Sequence, residues 1–184
     1  MEPEPWRRVS LPGQPIAWGA APVSDCIPFI PSSPFGGPTS FSLESQLVEP
    51  VTAWLERAGY RVEPEVPILG RRADLVGSRE DHLVAVELKM RDWREAFRQA
   101  LAYQLAADWV WVAMPLAAAS SAYRQRWRFE EEGIGLLAVD DRGIVRTPIS
   151  AGPSPRLLPY LRERVLVRPA RRAEPFFLFD RSDD

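Results

Sequence analysis

The 184-residue sequence predicts an α/β fold, a mixed β-sheet flanked by helices, and three observations carry that expectation. An amphipathic segment precedes three short extended ones. A capped helix then separates the third extended segment from a buried strand. A last helix leads into a hairpin. The strand–helix–strand step in the middle of this αβββαβ order implies a mixed sheet with helices against it.

Leu43, Leu47, Val48, Val51, Trp54, Leu55 and Ala58 recur at helical spacing, and Gly59 supplies a stop. Pro50 opposes this helix, because an interior proline removes a hydrogen bond. The helix is therefore expected to bend at Pro50 or to begin near Glu49. Residues 60–66 form an extended segment bounded by Pro64 and Pro67, residues 71–76 end at Gly77, and residues 83–89 follow a polar turn. Asp92-Trp93-Arg94-Glu95 has the form of a capping box, with Asp92 as N-cap and Glu95 returning to it, and opens a helix to about Ala107. Residues 109–114 make a buried strand, residues 118–132 a helix, and residues 135–139 and 144–147 a hairpin turned by Asp140-Asp141-Arg142-Gly143.

Composition divides the chain. Residues 1–39 hold nine of its 19 prolines and show no period, as an N-terminal arm would. Residues 40–147 hold only four prolines and form the core domain, and residues 148–184 hold six more with Arg156, Arg162, Arg164, Arg168, Arg171 and Arg172 as a C-terminal extension. The acidic, proline-rich start is no signal peptide, and the longest apolar run, residues 109–119, is too short to cross a membrane, so a cytoplasmic protein is expected. A net charge of −2 gives no global field to recruit nucleic acid, leaving any such binding to a local patch. Cys26 is the sole cysteine and His82 the sole histidine, which excludes an internal disulfide, cysteine-based zinc sites and histidine triads. Chemistry here must rest on carboxylates, lysine, hydroxyls or a metal held by oxygen.

Lys89 is the only lysine among 23 basic residues. It ends the apolar run Val84-Ala85-Val86-Glu87-Leu88-Lys89, where alternation puts Glu87 and Lys89 on one face. A turn centred on Glu80-Asp81 pairs Asp74 with Glu87 across two antiparallel strands. Opposed carboxylates are costly unless a cation sits between them, and hard divalent cations take one or two carboxylates plus water and phosphate. An ammonium is a compact point charge, unlike a guanidinium fork, and suits a place beside a water or a phosphate oxygen. On the following helix Glu95, Gln99 and Tyr103 form one stripe, and Arg91, Arg94 and Arg98 form a basic edge able to hold a phosphate backbone.

Asp74, then Glu87-Leu88-Lys89 at a strand end, then Gln99-Ala100-Leu101-Ala102-Tyr103 on the next helix resembles the PD-(D/E)XK nuclease superfamily, and within it the RecB-type branch with its QxxxY element. The resemblance spans roughly residues 43–139. It implies a restriction-endonuclease-like fold and cleavage of nucleic-acid phosphodiesters with Mg²⁺ (or Mn²⁺). Asp74 and Glu87 match the metal-binding acids, Lys89 the catalytic lysine, Gln99 and Tyr103 the accessory pair, and Glu44 a first-helix acid that some members use as a further metal contact. Ala73 stands where the name-giving proline would be. The expectation is a metal-dependent nuclease acting on DNA; the alternative is a catalytically silent member of the fold that binds nucleic acid or protein. Nothing in the sequence decides between DNA and RNA, between endonuclease and exonuclease action, or between monomer and homodimer.

Overall fold

The computed structural model describes residues 41–167. The arm over residues 1–39, and Arg168, Arg171 and Arg172 of the C-terminal stretch, fall outside the described residues. The described chain runs α1 (Ser45–Arg57), β1 (Arg61–Ile68), β2 (Arg71–Arg79), β3 (His82–Leu88), α2 (Trp93–Tyr103), β4 (Trp109–Pro115), α3 (Leu116–Tyr123), α4 (Arg126–Glu132), β5 (Ile134–Val139), β6 (Val145–Ile149) and α5 (Pro159–Leu166). Its six strands stand in chain order in one sheet. The pairs β1–β2, β2–β3 and β5–β6 are antiparallel, whereas β3–β4 and β4–β5 are parallel, each reached through a helical crossover. The sheet is thus mixed and flanked by helices.

Both faces are covered. Leu83 and Ala85 of β3, Val110 and Val112 of β4 and Leu136 of β5 join one apolar cluster with Phe97 and Ala100 of α2, Ala122 of α3 and Phe129 of α4. The alternate residues Val84, Val86, Trp111 and Leu137 are equally buried, and Leu47, Val51 and Leu55 of α1 cover that face. Trp54 of α1 meets the Trp111 ring edge-on at 5.3 Å. Trp111 pairs with Gly135 across β4–β5 and lies flat over it, so that a Cβ at Gly135 would fall 2.1 Å from the ring. Glycine is required there by close approach.

The helix carrying Leu47 runs from Ser45 through Pro50 to Arg57, so it does not wait until Glu49 to begin. Pro64 and Pro67 lie inside β1 instead of bounding it, which an edge strand tolerates because one row of its amides faces no partner. The helix expected over residues 118–132 is two helices, broken at Arg124 and Gln125. β6 ends at Ile149, and Ile149 and Leu161 both enter the core cluster, so the segment after residue 147 adds to that core. It is pinned there by Leu158 N–H donating to Leu105 O (3.0 Å) and by the Arg162 guanidinium donating to Asp108 (2.9 Å).

Candidate active site at the open end of β2 and β3

The Arg79↔His82 pair puts the turn on Glu80-Asp81, and the ladder runs in register down to Leu75↔Val86. One step further in that register brings Asp74 opposite Glu87, and there the strands part. Backbone polar groups left by the parting need partners. Asp74 supplies one, its Oδ2 accepting from Leu88 N–H at 2.7 Å. Tyr103 of α2 supplies the other, its hydroxyl lying 2.8 Å from Arg72 O and 2.9 Å from Glu87 Oε2. Two side chains expected to carry chemistry therefore close the gap that the diverging strands open.

Glu87 is only 3% exposed. Burial first, and then the Asp74 carboxylate, push its pKa up to about 7, against the opposing pull of the Tyr103 hydroxyl and the Lys89 ammonium. Asp74 is raised as well, by burial more than by its acidic neighbours Glu44 and Glu65, although the Leu88 N–H and Lys89 oppose the shift. Tyr103 is held firmly as a neutral phenol by burial and by the charge of Glu87. Two carboxyls that cannot comfortably ionise together form an electrostatic strain that a nearby positive charge would relieve.

Lys89 continues β3 by one residue, its N–H donating to Ala113 O at 3.0 Å. Its Nζ lies 3.1 Å from Glu95 Oε2 and 3.6 Å from Glu44 Oε1, joining α2 to the start of α1. These acids raise its pKa despite desolvation, so it stays an ammonium. Asp92 caps α2, accepting from Arg94 N–H (3.0 Å) and Glu95 N–H (3.1 Å). The Glu95 side chain does not return to the cap as a capping box requires; it pairs with Lys89, because the ammonium offers a charge-assisted partner at the same range. Glu44, half exposed, pairs with Lys89, and its charge adds to the rise in pKa of both Asp74 and Glu87.

Gln99 lies one turn before Tyr103, and its Oε1 is buried without a hydrogen-bond partner among the described residues. Arg91, Arg94 and Arg98 line a neighbouring surface cavity of ≈ 730 Å³ between α2 and the α3–α4 pair. Arg124 and Arg128 form its other wall. Their spacing of four was visible in the sequence, but only the packing of α3 and α4 beside α2 shows what they face.

Among the described residues no group of three or more His, Cys, Asp or Glu side chains converges as a ready metal cage. A hard divalent ion needs less than that, since one or two carboxylates with water and substrate oxygens suffice. The all-oxygen pair Asp74 and Glu87, both with raised pKa values, fits such an ion.

No family model matches the chain, and no curated protein matches it. Among solved structures it is similar to a protein of unknown function from Silicibacter pomeroyi, at 21% identity and a TM-score of 0.53, over 68% of this chain and 84% of that one. A likeness at that identity bears on the fold alone, here an α/β sheet with flanking helices. No helix among the described residues is long and apolar enough to cross a membrane.

Proposed function

We propose that the chain is a metal-dependent nuclease of restriction-endonuclease-like fold that hydrolyses phosphodiester bonds of DNA. The observation that carries the reading is the opposed, desolvated pair Asp74 and Glu87 with Lys89 one pleat further along the same strand end. A divalent cation such as Mg²⁺ or Mn²⁺, bound by Asp74 and Glu87, would supply positive charge against the phosphate and acidify a water. The chain's own residues do the positioning. Tyr103 fixes the Glu87 carboxylate by its hydroxyl. Glu95 holds the Lys89 ammonium over the strand end, where it steadies charge developing on a phosphate oxygen or orients the attacking water. Gln99 offers its buried oxygen as an acceptor for a water proton, and Arg91, Arg94 and Arg98 hold the flanking backbone.

A second reading is a silent member of the fold that binds nucleic acid or protein. The double pairing of Lys89 with Glu44 and Glu95 favours it, because a lysine already satisfied by two carboxylates gives up less to a substrate. Incubation with single-stranded, duplex and branched DNA, with Mg²⁺ or Mn²⁺ and with chelator, separates the two. Metal-dependent cleavage that Asp74→Asn abolishes supports the enzyme. Absence of cleavage on every substrate supports the silent binder.

A further inference from the structure

The groove between α2 and the α3–α4 pair is lined by five arginines, Arg91, Arg94, Arg98, Arg124 and Arg128, in a chain whose net charge is −2. None of the five lies within 4.0 Å of a carboxylate among the described residues, so their charge is not cancelled locally; they share this with Arg57, Arg71, Arg79, Arg126, Arg142 and Arg164, and what sets them apart is that they line one groove. The one acid lining the groove, Asp92, spends its Oδ1 on the backbone amides that cap α2. Buried rings hold two of the guanidiniums: Arg94 lies 4.7 Å over Trp93, and Arg128 lies 5.5 Å over Phe97 and 5.8 Å over Trp93. Arg128 also lies 6.0 Å from the ring of Trp127, the preceding residue of α4, which is 59% exposed.

Unpaired arginines can grip any polyanion. An exposed indole beside them has a narrower use, since a duplex keeps its base faces stacked inside and an acidic peptide has none. We infer that the groove takes a single-stranded nucleic acid, its phosphates on the five arginines and a base stacked on Trp127. Grip by charge together with stacking on an aromatic face is how single strands are held without sequence preference. The inference rests on the reading of the chain as acting on nucleic acid and names the form of substrate that reaches the acidic site, because Arg91 and Asp92 follow Lys89 by two and three residues.

The test uses the full chain in chelator, so that binding is scored apart from cleavage. Fluorescence anisotropy compares a labelled oligonucleotide as a single strand, the same sequence as a duplex, and a polyglutamate peptide of equal charge. The single strand is expected to bind on the order of tenfold more tightly than the duplex, and Trp127→Ala to remove about that factor from the single strand only. Arg124→Ala, whose side chain makes no hydrogen bond or ion pair among the described residues, should lower the slope of log affinity against log salt by about 0.7. Circular dichroism confirms that each variant is folded. Equal or tighter binding of the duplex, equal binding of polyglutamate, no effect of Trp127→Ala, or no binding of any nucleic acid overturns the inference. Single-strand binding by a protein that never cleaves with metal leaves the groove standing and sinks only the nuclease reading.

Discussion

Glu87→Gln should make the metal-free protein more stable, and the size of the gain follows from the site. Burial and the opposed Asp74 push the Glu87 carboxyl from an ordinary value of 4.5 up to about 7. The folded chain therefore holds this proton more tightly than the unfolded chain. The sign follows: the cost of Glu87 is absent below about pH 4.5, grows as pH rises from 4.5 to 7, and is fully present above 7. Asp74 acts in the same direction. A difference of roughly two and a half pH units corresponds to about 3 kcal/mol at most, less whatever water reaching the mouth of the site relieves. Glutamine keeps the shape and an acceptor for Tyr103 but carries no charge to desolvate. The variant should gain up to that amount at pH 8 and almost nothing at pH 4, a rise of roughly 6–12 °C in melting temperature for a chain of this size. Denaturant unfolding in chelator at the two pH values measures it. Added Mg²⁺ should stabilise the wild type at pH 8 and leave the variant unmoved, since metal bound to the folded state adds to stability by mass action. A variant less stable than wild type at pH 8 would refute the reasoning, because Glu87 would then be an ionised structural partner and not a carboxylate awaiting a cation.

Three further outcomes are expected. Lys89→Arg should fold and bind DNA but cleave on the order of 100-fold more slowly, because the wider fork displaces the water or phosphate oxygen by about 1 Å; wild-type rates in a cleavage assay would place the chemistry elsewhere. Gly135→Ala should cost about 1–3 kcal/mol or more in denaturant unfolding, since its Cβ would strike the Trp111 ring at 2.1 Å in a core that cannot yield; an unchanged midpoint would mean that Trp111 moves freely. Asp92→Ala should cost about 1 kcal/mol by uncapping α2, with circular dichroism and unfolding midpoint as readouts; no loss would mean that another group caps the helix.

The geometry around Asp74 and Glu87 was legible because it depends on local rules. A two-residue turn at Glu80-Asp81 sets the register, and strand alternation then fixes the faces. Asp92 as N-cap was legible for the same reason. What escaped was decided by neighbours distant in sequence. The break at Gln125, whose φ is −110° and ψ 25°, has no glycine or proline to announce it. That Pro64 and Pro67 could lie within a strand depended on β1 being at the sheet edge. The choice of Lys89 over the cap by Glu95 depended on where β3 ends relative to α2. Arg124 and Arg128 became part of a groove only through the packing of three helices.

Tyr103 carries a consequence of its own. A phenol has one proton, yet its oxygen lies within reach of two acceptors, Arg72 O and Glu87 Oε2. While Glu87 is neutral it donates to the phenol oxygen, and the phenol donates onward to the Arg72 carbonyl, so the protons point in one direction. Once Glu87 is ionised it can only accept, so the phenol O–H donates to Glu87 Oε2 and Arg72 O loses that donor. Arg72 lies in β2, one residue beyond the Ile68↔Arg71 pair that closes the Leu69-Gly70 turn between the edge strand β1 and β2. The hairpin at the rim of the sheet is therefore wired to the charge at its centre, and amide exchange there would register ionisation of a carboxylate it never touches.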